Sequence, residues 1–143
     1  MTGKEMIERP AKIQEQIFRL EEKALELESL AQKCTSMLSP TPGGGHNDRR
    51  VEDLLVKAAD IRKEAEALYE RKNEAILDVM PLMQQLPDSD TVRVLTERYL
   101  ELLSIGVICK TNGWSERKYY KTLSRALDAL EKAFAEQAEN EKP

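Results

Sequence analysis

The chain has 143 residues, of which 34% are charged and only 5% aromatic, and its formal net charge is −4. This length suits about one ordinary domain, which excludes two full-sized compact domains. A composition dominated by Ala, Leu, Glu, Lys and Arg with few aromatics is typical of long helices. We therefore expect an all-α protein.

Features of location and redox state point to the cytoplasm. No apolar run approaches the ~20 residues of a membrane span, and the start, MTGKEMIERP, lacks the apolar stretch of a secretory signal. Cys34 and Cys109 lie far apart, each within a helical apolar pattern, which is typical of reduced buried thiols. We expect a cytoplasmic protein with no membrane contact.

The first predicted element is a long helix with a narrow apolar stripe. Its two heptad lines are Met6, Ile13, Leu20, Leu27 and Cys34, and beside them Ile17, Ala24, Ala31 and Leu38. A stripe this narrow can be buried only against another helix, and small alanines allow a close approach. The helix therefore needs a packing partner.

The stretch SPTPGGGHNDRR then interrupts the helical pattern. Two prolines remove backbone donors and three glycines favour non-helical backbone, so we predict a flexible loop at 39–50. His46, the single histidine, lies within it. The glycines are not followed by the Gly-Lys-Ser/Thr ending of a phosphate loop, so we interpret them as linker.

A second helix of matching length follows the loop. Its heptad lines are Leu54, Ile61, Leu68, Ala75 and Leu82, and beside them Ala58, Ala65, Val79 and Leu86. The loop lets this helix fold back on the first, so 1–86 is predicted to form a long antiparallel, coiled-coil-like hairpin. Two hairpins can pair into a four-helix bundle. We predict a dimer with the interface residues Ile13, Ile17, Leu20, Leu27, Leu54, Ile61 and Leu68.

A small trihelical domain is predicted over 87–135. Pro87 ends the preceding helix, and Asp88 or Ser89 can cap the next one. A short helix follows over Ile105 to Thr111, then a turn at Asn112-Gly113 and a final helix behind Ser115. The expected core residues are Val92, Leu95, Tyr99, Leu102, Ile105, Ile108, Trp114, Tyr119, Leu123, Ala126, Leu127 and Leu130. Residues 136–143 are predicted to be a disordered acidic tail.

The last two helices have the order of a helix-turn-helix, and their surface is basic. Residues 110–125 contain Lys110, Arg117, Lys118, Lys121 and Arg125 against Glu116 alone, a net charge of +4. Such a helix can neutralise phosphates and read base edges in the major groove. A solvated charged face on a structural trihelical unit is the alternative interpretation of these charges.

A family resemblance favours DNA binding. Arg98-Tyr99, Ile108, Gly113-Trp114-Ser115 and Arg125-Ala126-Leu127 resemble the C-terminal promoter-reading domain of bacterial sigma factors, and more closely the small phage-encoded regulators of late transcription that share it. The long charged helical pair that precedes the helix-turn-helix is also similar in pattern to the corresponding part of these phage regulators. The resemblance implies base-reading residues Glu116, Arg117, Tyr120 and Lys121, and phosphate contacts at Ser115, Lys118 and Arg125, beside which Lys110 adds charge.

These observations leave two hypotheses. The first is a sequence-specific transcription regulator of phage or prophage origin that binds double-stranded DNA, with the hairpin used for dimerisation or contact with RNA polymerase. The second is an adaptor that binds RNA polymerase or another host protein without reading DNA. We do not expect an enzyme, a cofactor or a metal, because no His/Cys/carboxylate cluster has ligand spacing and no nucleophile has an evident base.

Overall fold

The computed structural model describes residues 1–36 and 45–141, and all regular secondary structure in those residues is helical. The helices are α1 (Gly3–Ser36), α2 (Gly45–Met83), α3 (Ser89–Leu95), α4 (Ile105–Asn112) and α5 (Glu116–Asn140). A π-helical segment, Thr96–Leu100, directly follows α3. The predicted all-α fold is confirmed.

Helices α1 and α2 pack against each other, which confirms the predicted hairpin. The seam is built from small residues, as the heptad pattern predicted: Ala24, Ala31, Ala58 and Ala65 are all buried. Beside it, Arg62 makes a two-pronged ion pair with Glu28, whose carboxylate oxygens lie 2.6 and 3.1 Å from Nε and Nη2. The hydrogen bond from Arg62 holds the pKa of Glu28 below its usual range.

The connection between the two helices is shorter than predicted. Helix α2 begins at Gly45, so residues 45–50 of the predicted loop at 39–50 are helical. The rest of that loop lies outside the described residues. Asn47 and Asp48, which favour caps and turns in isolation, are followed by a long helix-forming sequence, and tertiary packing of that helix outweighs local preference.

The chain divides into two compact units at points within its long helices. The hairpin unit is Ile13–Arg71, and the C-terminal unit combines Met1–Lys12 with Lys72–Pro143. The sequence placed the boundary at Pro87, where the helical pattern stops. The contacts place the boundary elsewhere because the first residues of α1 and the last turns of α2 share a core with α3, α4 and α5.

That core is one cluster of buried side chains in the C-terminal unit. Its members are Ile7, Val79, Leu82, Met83, Val94, Leu95, Ile108, Trp114, Tyr119, Ala126, Leu130 and Ala133. Ile108, Trp114, Tyr119, Ala126 and Leu130 confirm the predicted apolar faces of α4 and α5. Ile7 and Val79 enlarge a core that α3, α4 and α5 alone would leave small.

The start of α1 is fixed to α5 by backbone contacts. The amides of Gly3 and Lys4 donate to the Glu131 carboxylate at 3.1 and 2.8 Å. A carboxylate satisfies unpaired amides at a helix N-terminus and is favoured there by the helix dipole. A Cβ on Gly3 would stand 3.2 Å from the carbonyl oxygen of Leu130, so glycine permits this close approach.

Helix α3 buries a different face from the predicted one. Asp88 is the N-cap and accepts from the amide of Thr91 at 2.9 Å. Thr91 is buried with Val94 and Leu95, whereas Val92 is 36% exposed. Leu95 confirms its predicted core position, but the prediction of Val92 as a core residue was wrong, because Thr91, whose hydroxyl donates to the carbonyl of Asp88 in the cap, is buried instead.

Leu102 also lies outside the core. It is 44% exposed, with a φ of 58° in the left-handed region, which costs a non-glycine residue roughly 1–2 kcal/mol. The wide turns of Thr96–Leu100 end the α-helical spacing on which its core position was predicted. Leu102 therefore belongs to the turn before α4.

The predicted disordered tail is helical over most of its length. Helix α5 continues to Asn140, so the prediction for 136–143 was wrong for residues 136–140, and 142–143 lie outside the described residues. Ala, Glu and Gln, which predominate here, have high helix propensity and can extend an established helix without packing of their own.

Tyr119 offers a direct test of the core. Its side chain is fully buried, and its hydroxyl has no hydrogen-bond partner among the described residues. Because the same hydroxyl is hydrated in the unfolded chain, we expect Tyr119→Phe to raise the free energy of unfolding by about 1 kcal/mol. Urea unfolding followed by tryptophan fluorescence measures this change. A lower free energy of unfolding would show that the hydroxyl has a partner.

Candidate nucleic-acid interface

Helices α4 and α5 begin where the sequence predicted, and α4 ends within one residue of its predicted end. The hydroxyls of Ser104 and Ser115 cap them by accepting from the amides of Val107 and Lys118 at 3.3 and 3.1 Å. Gly113 ends α4 in the left-handed conformation, with φ of 67°, which costs glycine little. The amide of Trp114 then donates to Cys109 at 2.9 Å. This turn fixes the start of α5.

A side-chain network ties the end of α4 to α3 and the π-helical segment. Asn112 donates from Nδ2 to Glu97 Oε2 and to the carbonyl of Ile108, both at 2.8 Å. Arg93 donates from Nη1 to Asn112 Oδ1 at 3.2 Å. Asn112 therefore holds the turn before α5 against the preceding elements. Sequence reasoning treated it only as a turn residue.

The four predicted base-reading residues share the outward surface of the first turns of α5. Arg117 and Lys121, four residues apart, are neighbours on a helix and both are exposed. Glu116 and Tyr120 form a second, adjacent pair of the same spacing, and Tyr120 is 55% exposed. The Tyr120 ring meets the buried Tyr119 ring edge-on, with centroids 5.1 Å apart, which restrains its orientation.

The predicted phosphate-contacting residues lie along one edge of that surface. Lys118 and Arg125, seven residues apart, follow the same line of α5 and are exposed. Ser115 is exposed at the N-cap, where its hydroxyl proton stays available while its oxygen caps the helix. Lys110 is exposed on α4. The structure thus puts three of the four on or directly before α5 and the fourth on the helix preceding it.

Lys118 is positioned by the tryptophan of the turn. Its Nζ lies 5.7 Å from the centroid of the Trp114 ring, within the range of a cation–π contact. Trp114 is only 8% exposed, so its ring is fixed by the core. Because the ammonium stays exposed, the lysine is held near the start of α5 while it can still face an anion.

Arg125 is held by a carboxylate that sequence reasoning assigned only to capping. Its Nη2 lies 3.1 Å from Asp88 Oδ2, and the two side chains are 57% and 40% exposed. The Thr91 amide lowers the pKa of Asp88, and the nearby Arg125 guanidinium lowers it further. Asp88 therefore stays ionised beside Arg125.

Of the residues predicted for a dimer interface, six remain accessible and one does not. Ile13, Leu20, Leu27, Leu54, Ile61 and Leu68 are half-buried in the isolated chain. Ile17 is fully buried, so its prediction as an interface residue was wrong. It lies on the same heptad line as Ala24 and Ala31, which form the seam inside the hairpin.

Within the described ranges 1–36 and 45–141, no group of three or more His, Cys, Asp or Glu residues is arranged to hold a metal ion. None of the helices in those ranges combines the length and the apolarity that crossing a membrane requires. In comparisons with known proteins, no family model matches the chain, and no curated protein or solved structure is significantly similar to it.

Proposed function

We propose that this protein is a sequence-specific DNA-binding transcriptional regulator of phage or prophage origin that acts in a bacterial host cell. Helix α5 enters the major groove with residues 115–125. The hairpin serves assembly, through dimerisation or contact with RNA polymerase. The C-terminal unit acts by binding DNA, with no chemical step.

One observation carries the proposal: the exposed face of the first turns of α5 concentrates cations on a rigid support. Arg117, Lys118, Lys121 and Arg125 are exposed, with Glu116 as the acidic residue among them. Buried residues of α4 and the preceding elements fix α5 from behind. Preorganised guanidinium and ammonium groups on a capped helix suit both phosphate contact and guanine recognition.

The residues divide by what they can contact. Arg117 can bond two acceptors of guanine, Glu116 can accept from cytosine N4, and the Tyr120 ring can pack against a thymine methyl. Lys118 and Arg125 on the edge suit phosphates, which fix the position of a helix in the groove without reading sequence. A chain whose overall charge is −4 then relies on this local positive face to approach DNA.

The test is binding of the full chain to a pool of random duplexes across a salt series. We expect one sequence class to be enriched, with affinity falling steeply as salt rises, because each phosphate contact releases counterions. Binding with no enrichment would exclude sequence-specific reading. If the chain fails to bind duplex DNA at low salt, the proposal is overturned, and the adaptor hypothesis takes its place.

Asp88→Asn should strengthen DNA binding. Asparagine keeps the N-cap acceptor for Thr91 but removes the charge that holds Arg125, so the guanidinium is released for a phosphate. We expect a several-fold gain in affinity and a salt dependence steeper by about one counterion. Fluorescence anisotropy with the selected duplex measures both quantities.

Asp90→Asn is the matched control, since it removes the same charge from the same helix end, whereas the ion pair with Arg125 is made by Asp88. Equal gains in the two variants would mean that net charge alone matters. In that case the Arg125–Asp88 pair has no part in DNA affinity.

A further inference from the structure

The hairpin unit carries an apolar groove that the packing of α1 on α2 leaves open. Leu20 and Leu68 line one stretch of it, and Leu27 and Ile61 line the next. Glu64 belongs to both stretches, so the groove is continuous. Ile13 and Leu54 extend the same heptad lines at the two ends. We call these six half-buried residues and the charges beside them the groove surface.

Two contacts establish which residues of the antiparallel helices lie level with each other. Arg62 pairs with Glu28, and the Tyr69 hydroxyl donates to Glu21 at 2.8 Å. Both helices rise by the same amount per residue, so Arg71 lies level with Arg19. By the same count, Leu68 lies level with residue 22 and Ile61 with residue 29.

Charges divide the groove surface into two halves. Arg19, Lys23 and Arg71 stand at the end near residue 20 of α1, while Asp60 and Glu64 stand further along, level with residues 30 and 26, and Lys57 lies beyond them at the far end. Arg19 also has an exposed neighbour, Glu15, at 3.6 Å, a pairing that contributes little in water. The surface thus has a basic half and an acidic half.

We propose that the groove surface binds a second copy of this chain, with the two hairpins antiparallel, to form a four-helix bundle. In this arrangement the basic half of each copy faces the acidic half of the other, so that Arg71 meets the second copy's Asp60. A parallel arrangement would instead place Arg19 and Arg71 of one copy level with Arg71 and Arg19 of the other, so that like charges meet. The charge pattern therefore selects the antiparallel dimer.

The apolar residues fit the same arrangement. Consider a two-fold axis that lies perpendicular to the helices, at the level between residues 24 and 25 of α1. It brings Leu20 of one copy to the same level as Ile61 of the other, so that the two form one layer. It also places Leu27 with Leu68, and Ile13 with Leu54. Lys57, beyond Asp60, then faces the uncharged Gln16. One axis accounts for all three apolar layers and for the charges.

The area is sufficient for a stable dimer. Residues 13–36 of α1 extend about 36 Å, and two helices side by side are about 20 Å wide, so each copy presents about 700 Å². Stable interfaces of standard size bury about 600–1,000 Å² per partner, and this area falls within that range. The proposal deepens the dimerisation part of the proposed function, but it holds whether or not the chain binds DNA.

Sedimentation equilibrium of the full chain, without DNA, tests the proposal through two charge-reversal variants. The acidic variant carries Arg19→Glu, Lys23→Glu and Arg71→Glu, and the basic variant carries Asp60→Lys and Glu64→Lys. We expect the wild type to be a dimer at tens of micromolar and each variant alone to be a monomer, with dimerisation weakened by ~100-fold. An equimolar mixture of the two variants should form a heterodimer.

The control for the basic variant is Glu22→Lys/Glu66→Lys, which makes the same change in net charge as that variant on residues outside the groove and should remain a dimer. Circular dichroism checks that every variant keeps its helices. A monomeric wild type, a dimer that survives both reversals, or variants that fail to pair when mixed would each overturn the proposal. None of these outcomes depends on whether DNA is bound.

Discussion

Arg117→Glu/Lys121→Glu should lower the affinity for the selected duplex by at least ~100-fold, since each good base contact contributes about 1–3 kcal/mol and both cations become anions facing phosphate. The salt dependence should also become shallower by about two counterions. Both side chains are exposed, so the fold is unaffected. Fluorescence anisotropy across a salt series measures both changes.

Lys63→Glu/Lys132→Glu is the control for this variant, because it makes the same change in net charge at exposed positions away from the first turns of α5. Its affinity should stay within a few-fold of the wild type. An equal loss in both variants would assign binding to overall charge. If the charge-reversed variant keeps the wild-type affinity for DNA, the assignment of α5 as the recognition helix is contradicted.

The second large effect concerns the start of the chain. Ile7 is fully buried in the core of the C-terminal unit, and truncation of a buried isoleucine leaves a cavity. We expect Ile7→Ala to lower the free energy of unfolding by about 3 kcal/mol. Trp114, the single tryptophan, lies in the same core. Its fluorescence during urea unfolding therefore reports on this unit.

Val92→Ala provides the comparison for Ile7→Ala. Val92 was predicted to be in the core, but it is 36% exposed, so its truncation should change the free energy of unfolding by less than about 0.5 kcal/mol. If Val92→Ala is as destabilising as Ile7→Ala, the core assignment of both residues is wrong.

The helices were predictable because local signals agree with one another. Heptad spacing gave α1 and α2, the Ser115 cap gave the start of α5, and Asn112-Gly113 gave the turn between α4 and α5. The same cap and spacing placed the exposed candidate residues on α5. All of these signals act within about two helical turns, where sequence patterns are most informative.

The remaining features depend on contacts between distant residues. Nothing near Ile7 indicates that it joins the core of the C-terminal unit, because the heptad line through Met6 already accounts for that face of α1. Arg125 pairs with Asp88, but the sequence already explained Asp88 as a helix cap and Arg125 as part of a basic helix face, so nothing local indicated that the two meet. The buried face of α3 shifted to Val94 through a capping bond whose geometry periodicity does not specify.

The contact between the amide of Gly3 and Glu131 joins residues 128 positions apart, and it sets the order in which the protein can fold during synthesis. The C-terminal unit needs both the first residues of α1 and the middle of α5, so it completes only after the middle of α5 has left the ribosome. The hairpin unit has its residues available earlier. Chains generally fold as such units become complete. Until α5 has been synthesised, the apolar face around Ile7 therefore stays without the core residues that bury it.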